Sequence, residues 1–284
     1  SNNFDEKEMI EAIKLCHLYG VKIYVTVNTM IYNEEVEEVL NYLNFLNSNN
    51  VDAVIMQDNG LIELTRKTIP DLEVHVSTQA HNHNEPAISH YKEIGCTRVV
   101  FDRESSLENI NNIKTDIEKE VFVYGALCIC YSGNCLFSAL NGGRSANRGM
   151  CVGSCRLPYK LLKNSEIKDS GYLLSTKDLN TLENIGKLIE LGIDSLKIEG
   201  RMKRPEYVYL VTSMYRKAID NYKKYGETKI SGQVLFITSQ RVFHCSQFVS
   251  ETNDGLFPCK IFVEIFAFLP RTFFAYFRIL FSAL

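Results

Sequence analysis

Hydrophobic residues along this chain alternate between two rhythms. In residues 5–19, Met9, Ile10, Ile13, Leu15 and Leu18 recur at helical spacing, acids fill the first turn and Gly20 follows. This predicts an amphipathic helix whose acidic start suits the positive end of its dipole. Residues 21–27 (VKIYVTV) then switch to a run rich in β-branched side chains, which reads as a strand. The same pair of rhythms returns down the chain. Further strands are predicted at 51–56, 73–77, 98–101, 121–127, 172–175 and 195–198. Further helices are predicted at 34–47, 61–67, 85–94, 105–114 and 205–225, and from Ser175 or Thr176 to 191. Ser105 with Glu108 reads as a capping box for the helix at 105–114.

Strands that alternate with helices imply a parallel sheet. The chain has no initiator Met and enters a helix at once, so a first strand is expected upstream of Ser1. Seven strands and that one make eight, the number in a (β/α)8 TIM-like barrel. We therefore expect an α/β chain forming such a barrel without its first strand, with a doubly wound sheet as the competing architecture. In a barrel, chemistry sits on the loops that follow the strands.

The alternation ends near Ser231. Residues 1–227 are assigned to the barrel domain and 228–284 to an apolar tail, either divergent or artefactual. Residues 256–284 are dense in Phe, but Lys260, Glu264, Pro270, Arg271 and Arg278 interrupt them. No uncharged run reaches the about 18 residues of a membrane span, so a membrane partner is not expected. A buried hairpin or a membrane-surface element are the alternatives for this stretch.

Composition narrows the function classes little. Apolar residues at 45% and charged residues at 23% are ordinary globular values. A net charge of −3 excludes a chain-wide basic footprint, so nucleic-acid binding needs a local patch. No secretory signal opens the sequence, which points to the cytoplasm and to reduced thiols.

Cysteine changes the picture. Five of the nine cysteines, Cys128, Cys130, Cys135, Cys151 and Cys155, fall within residues 120–156. Cysteines so clustered in a reducing compartment read as metal, cluster or catalysis before disulfides. Four thiolates suit a tetrahedral zinc or an iron–sulfur cluster, although the spacing matches neither a zinc ribbon nor a ferredoxin run. Interspersed glycines let the backbone wrap closely around a compact group. Arg144, Arg148 and Arg156 add positive charge for an anionic cluster or substrate. The bland alternative is cysteine as a small apolar packing residue. Cys16 and Cys96 are assigned to the core on that basis. Cys130 alternates with Cys128 along the expected strand and so points away from it.

Other polar groups follow predicted strands. Glu199, Arg201, Lys203 and Arg204 follow the last one, and the three cations suit phosphate or the carboxylates of a small acid. Gln79 and His81 follow the third, and Gln57 with Asp58 the second. Asp102, Arg103 and Glu104 follow the fourth, with Arg103 and Glu104 expected to pair. Neither H-E-x-x-H nor G-x-S-x-G is present. A Cys135–His81 nucleophile–base pair remains open.

The segment Glu120-x-Phe122-x2-Gly125-Ala126-Leu127-Cys128-x4-Gly133-x-Cys135-x2-Ser138 resembles the signature of the U32 peptidase family, the collagenase-like proteases. Phe137 departs from it, standing where a smaller aliphatic is usual. The resemblance extends to Asn147-Arg148-Gly149-x-Cys151-x3-Cys155-Arg156, to Ser175-x-Lys177-Asp178-Leu179 and to residues 194–201 with Lys203, and covers roughly residues 4–227. It implies either proteolysis or iron–sulfur-dependent, O2-independent hydroxylation of tRNA uridine, ribosomal RNA cytidine or a quinone precursor. Prephenate is the implied hydroxyl source for the RNA members.

Carried over by position, the resemblance implies a 4Fe–4S cluster on Cys128, Cys135, Cys151 and Cys155. We expect catalytic roles for Arg201, Lys203, Glu199 and His81, and substrate contacts from Arg144, Arg148, Arg156 and Gln79. RNA hydroxylation with tRNA as partner is the favoured reading. A small anionic co-substrate and a second subunit of the same family are the further expected partners. The alternatives are a collagenase-like peptidase and a non-catalytic accessory subunit.

Overall fold

The computed structural model describes residues 4–200 and 203–228, and the backbone of 263–265. Asp5 caps α1 (Glu6–Leu18) through a capping box in which the Glu8 N–H donates to Asp5 Oδ1 at 2.8 Å and the Asp5 N–H to Glu8 Oε2 at 2.9 Å. The order then runs β1 (Ile23–Val27), α2 (Val36–Ser48), β2 (Ala53–Met56), α3 (Asn59–Thr68), β3 (Val74–Val76), α4 (Glu85–Glu93), β4 (Arg98–Val100), α5 (Leu107–Asn112) and β5 (Glu118–Gly125). After a short α6 (Phe137–Leu140) come β6 (Tyr159–Lys163), β7 (Glu166–Gly171), β8 (Leu179–Asn180), α7 (Ile185–Glu190), β9 (Ser195–Ile198), α8 (Pro205–Tyr225) and β10 (Val263–Ile265). Pro205 at the first turn and a left-handed Gly226 at the end bound α8, the arrangement those residues favour.

Strands β1 to β5 lie side by side in parallel, and β9 continues the sheet parallel to β5. The βα reading of the first 125 residues holds. Helices cover one face, where Val25, Val54, Val74, Val99 and Val123 pack with Leu43, Leu46, Ile62 and Ile88 in a continuous core. The other face is concave. Tyr24 from β1 meets the ring of His75 from β3 at 4.6 Å, and the Arg98 guanidinium from β4 lies 5.3 Å from the Tyr24 ring. Neighbouring strands are about 4.8 Å apart, so such contacts two and three strands away require the sheet to curl.

Sequence and structure part in the second half. The described residues form an open, curled parallel sheet rather than a closed eight-stranded barrel. The edge of β1, where a missing first strand was expected, pairs in parallel with β10. The rest of the tail lies outside the described residues. Residues 172–175 are not a strand. They follow an exposed β6–β7 hairpin, and Tyr172 is itself exposed. The slot beside β5 is taken by β9 and, at its end, by the two residues of β8 running antiparallel. The helix expected from Ser175 or Thr176 begins only near Leu182, because Asn180 is strand-paired and the Thr181 N–H donates to the Val123 carbonyl at 3.1 Å. Ser106, not Ser105, caps α5, since the N–H and hydroxyl of Ser105 both donate to Asp102 Oδ1.

No described helix is long and apolar enough to cross a membrane.

The concave face is polar. Glu120 on β5 is buried between Lys197 on β9, at 3.0 Å, and Arg98 on β4, at 3.3 Å, and accepts the Ser195 hydroxyl at 2.8 Å. Burial alone would raise its carboxyl, but Lys197 and Arg98, helped by that hydroxyl, hold it down at about 2. His75, fully buried, is pushed toward its neutral form by desolvation.

Candidate functional site

The cysteine segment leaves β5 at the C-terminal rim and is fastened there strand by strand. A β-carbon on Gly125 would meet the Glu199 carbonyl oxygen, after β9, at 2.4 Å. One on Gly133 would meet the Gln79 carbonyl, after β3, at 1.8 Å. Both glycines have positive φ, so the two signature positions are required by close backbone approach as well as conformation. The loop after β4 holds the next turn. Glu104 accepts the N–H of Ser132, and its hydroxyl at 2.9 Å, while the Arg103 N–H donates to Ser132 Oγ at 3.3 Å.

Further on, the Asn147 carbonyl accepts from the Met30 N–H at 3.0 Å and from Gln57 Nε2 at 3.1 Å, which ties the segment to the loops after β1 and β2. Arg148 makes a two-pronged ion pair with Glu35, at 2.9 and 2.7 Å, and donates to the Met30 carbonyl at 2.7 Å. Its guanidinium also lies 4.1 Å from the Tyr32 ring. Burial opposes ionisation of Glu35, but Arg148 and the Tyr32 N–H hold its carboxyl below the usual range. Arg156 donates to Ser175 Oγ at 2.8 Å and to the Thr176 carbonyl at 2.9 Å, and also to the Leu127 carbonyl.

This seating gathers the thiols. Desolvation raises the Cys128 thiol, Arg103 opposes that, and Cys151, Cys155 and Cys135 are close enough to raise it further. The Cys151 sulfur accepts the Gly153 N–H at 3.4 Å and the Ser138 hydroxyl at 3.9 Å. A single tetrahedral zinc needs its sulfurs about 3.8 Å apart. No three of these thiols lie within 4.8 Å of one another. As they stand, no three of them could ligate a single ion. Cys130 does not point away: β5 has ended by Gly125, and the Cys130 thiol is raised by desolvation and by a hydrogen bond to Cys135.

The other expected residues divide into two groups. Gln79, His81 and Glu199 border the cysteine loop. Arg103, not paired with Glu104, reaches Glu199 at 3.7 Å and lies 4.2 Å from the Phe122 ring. Lys203 is exposed at the start of α8, its ammonium 5.1 Å from the Tyr207 ring. Arg144 is exposed. Arg148 and Arg156, expected at substrate, are instead engaged in holding the loop. Arg201 lies outside the described residues.

Glu35, Ser132 and Ser138 were not singled out for a role. Their partners are Arg148, Glu104 and Cys151, at separations of 113, 28 and 13 residues. Only Ser138 carried a signal, as a fixed position of the signature.

A family model described as "Peptidase family U32" matches residues 1–252. A tRNA hydroxylation protein P1 of Bacillus subtilis is 43% identical over 232 residues, covering 78% of this chain and 55% of the relative. A 23S rRNA 5-hydroxycytidine synthase of Escherichia coli is 40% identical over 218 residues, covering 75% and 33%. A collagenase of Porphyromonas gingivalis is 33% identical over 243 residues, covering 78% and 57%. The chain thus spans about half the length of two of these relatives and a third of the other. With the signature seated on the sheet as described and the family model matched along most of the sequence, this chain belongs to peptidase family U32.

Proposed function

We propose that this chain carries the cluster-binding sheet domain of an iron–sulfur-dependent RNA hydroxylase, with a tRNA uridine as the favoured target. The observation that carries the reading is the convergence of Cys135, Cys151 and Cys155 on Cys128 in one loop over the strand C-termini. The names of the Bacillus subtilis and Escherichia coli relatives support RNA as the substrate class.

Those four cysteines would hold a 4Fe–4S cluster, whose chemistry is one-electron transfer and Lewis acidity at iron. The protein's own groups do the rest. Ser138 and the Gly153 N–H, both donating to the Cys151 sulfur, fix where that sulfur stands. Arg103, fixed between Glu199 and Phe122, offsets negative charge at Cys128. Lys203 and Arg204, exposed at the start of α8, offer cations to an RNA phosphate or to the carboxylates of a co-substrate such as prephenate. His81 and Gln79, beside the loop, can orient the base.

The peptidase alternative rests on the name of the Porphyromonas gingivalis relative and on the imidazole–carboxylate pair formed by His81 and Asp102 at 3.4 Å.

The test is anaerobic purification of the full-length protein and of a Cys135→Ala, Cys151→Ala variant, with iron and sulfide analysis and mass spectrometry of tRNA nucleosides from a deletion strain. About four irons in the parent and none in the variant are expected. A hydroxylated uridine should be restored by the parent alone. A folded, iron-free parent, or an unchanged nucleoside profile, overturns the proposal. Gelatin cleavage by the iron-free protein would favour the peptidase. Restoration only with a second family member would favour the accessory subunit.

A further inference from the structure

We propose that His81, His83 and Asp102 form a second inorganic site, separate from the thiols, for one divalent ion of the zinc or ferrous class. The three residues bring one ligand atom each to within 4.8 Å of one another, on the rim loops after β3 and β4. Asp102 is the anchor. Its side chain is 2% exposed. Oδ1 is taken by the N–H and hydroxyl of Ser105, so the carboxylate cannot rotate freely. That leaves Oδ2 facing two imidazoles, 3.4 Å from His81 Nδ1 and 4.0 Å from His83 Nδ1.

The His81 nitrogen is the second observation. It is shielded from solvent, yet it makes no hydrogen bond, not even to the carboxylate beside it. Buried polar nitrogens are rarely left without a partner, and an ion is one way to supply it. The separations suit this. Two donors on a tetrahedral ion with bonds near 2.0–2.1 Å stand about 3.4 Å apart. His81 and Asp102 already have that spacing, and His83 needs to close by about half an ångström, well within rotamer adjustment for a half-exposed side chain.

The rings of His81 and His83 lie 4.3 Å apart, and His83 Nδ1 donates to the His81 carbonyl at 2.7 Å, a bond it would give up, with its proton moving to Nε2, to ligate the ion. The backbone of His81 is left-handed, at φ +60°, and this turns both histidines toward Asp102.

Donor chemistry sets the class of ion. Two imidazoles and one carboxylate favour zinc or ferrous iron over magnesium or calcium, which prefer oxygen alone. Three protein donors leave a coordination position open on the exposed side of the histidines. Tyr131 of the cysteine loop stands edge-on to His81 there, at 5.7 Å, so an exogenous ligand on the ion would lie against that loop. This inference needs no iron on the thiols, and it gives His81 to the ion, so that orienting the base falls to Gln79.

The test uses metal-free protein in the Cys135→Ala, Cys151→Ala background, and in parallel the parent with its thiols alkylated by iodoacetamide. Each is titrated with zinc chloride by calorimetry and with cobalt chloride by absorption. One equivalent should bind. Cobalt should give weak ligand-field bands without the intense sulfur charge-transfer band of a thiolate site. A His81→Asn, His83→Gln variant should bind at least tenfold more weakly, and His90→Gln should bind as the parent does. Asn is chosen at position 81 because it tolerates the left-handed backbone. The proposal is overturned if no stoichiometric ion binds in either preparation. It is also overturned if the folded double variant, checked by circular dichroism, binds within twofold of its parent.

Discussion

Gly133 lies so close to Gln79 that a β-carbon would stand 1.8 Å from the Gln79 carbonyl oxygen. No side chain fits between the cysteine loop and the loop after β3. Gly133→Ala should therefore unseat the loop as well as strain a positive φ. We expect a loss of about 1–3 kcal/mol in urea unfolding, of the size expected for a strained backbone position, together with loss of iron from the proposed cluster. Gly143 also has positive φ but nothing within 4 Å of a β-carbon. Gly143→Ala should bring the strain alone and leave the iron of the proposed cluster in place. Equal iron retention in both variants would contradict this seating.

Glu120 predicts an acid dependence. Its folded carboxyl titrates at about 2, below the ordinary 4.5. A depressed carboxyl contributes stability that is fully present above the unfolded value and is lost as pH falls through the folded one. Thermal stability should therefore decline between about pH 4.5 and 2, and Glu120→Gln should flatten that part of the profile. The same change leaves Lys197 and Arg98 buried without their shared partner. A loss of about 3–5 kcal/mol at neutral pH is expected.

Arg148 and Glu35 carry the third prediction. A lysine cannot reproduce two parallel hydrogen bonds to one carboxylate. Arg148→Lys should leave the sheet folded but loosen the cysteine segment. Faster proteolysis within residues 130–156, with helix α8 still protected, would report this. Protection of the segment equal to that of the parent would exclude the clamp.

Arg103 opposes the burial that raises the Cys128 thiol. In metal-free protein, Arg103→Gln should slow alkylation of Cys128 by iodoacetamide at pH 8, because less thiolate is present. Cys16, buried on α1, serves as the internal reference for unfolding. An unchanged Cys128 rate would place Arg103 too far away to matter.

Local signals in the sequence predicted local structure. Asp5, Pro205 and Gly226 act within one helical turn, so the ends of α1 and α8 were legible. The β-branched runs of β1 to β4 were legible because both faces of those strands are buried. Residues 172–175 misled because an apolar run gives no sign of where its partner is. The partner edge on β5 belongs to β9 and β8. The Glu120–Lys197–Arg98 cluster and the Arg148–Glu35 clamp were illegible for the same reason. Each charge reads as surface until a residue far away in sequence is placed beside it. The cysteines were legible as a group through their density, and the glycines between them marked close packing, but not against which carbonyl.

The fastenings of the cysteine segment also imply an order of events. Arg148 finds Glu35 across 113 positions, and Asn147 meets Gln57 across 90. Contacts that close loops of this length form late, after the strands that present their partners have assembled. The thiols are thus brought together at the end of folding, and hydrogen exchange should find their segment the first to open. A cluster built there would enter a sheet already formed, and its loss would leave that sheet standing.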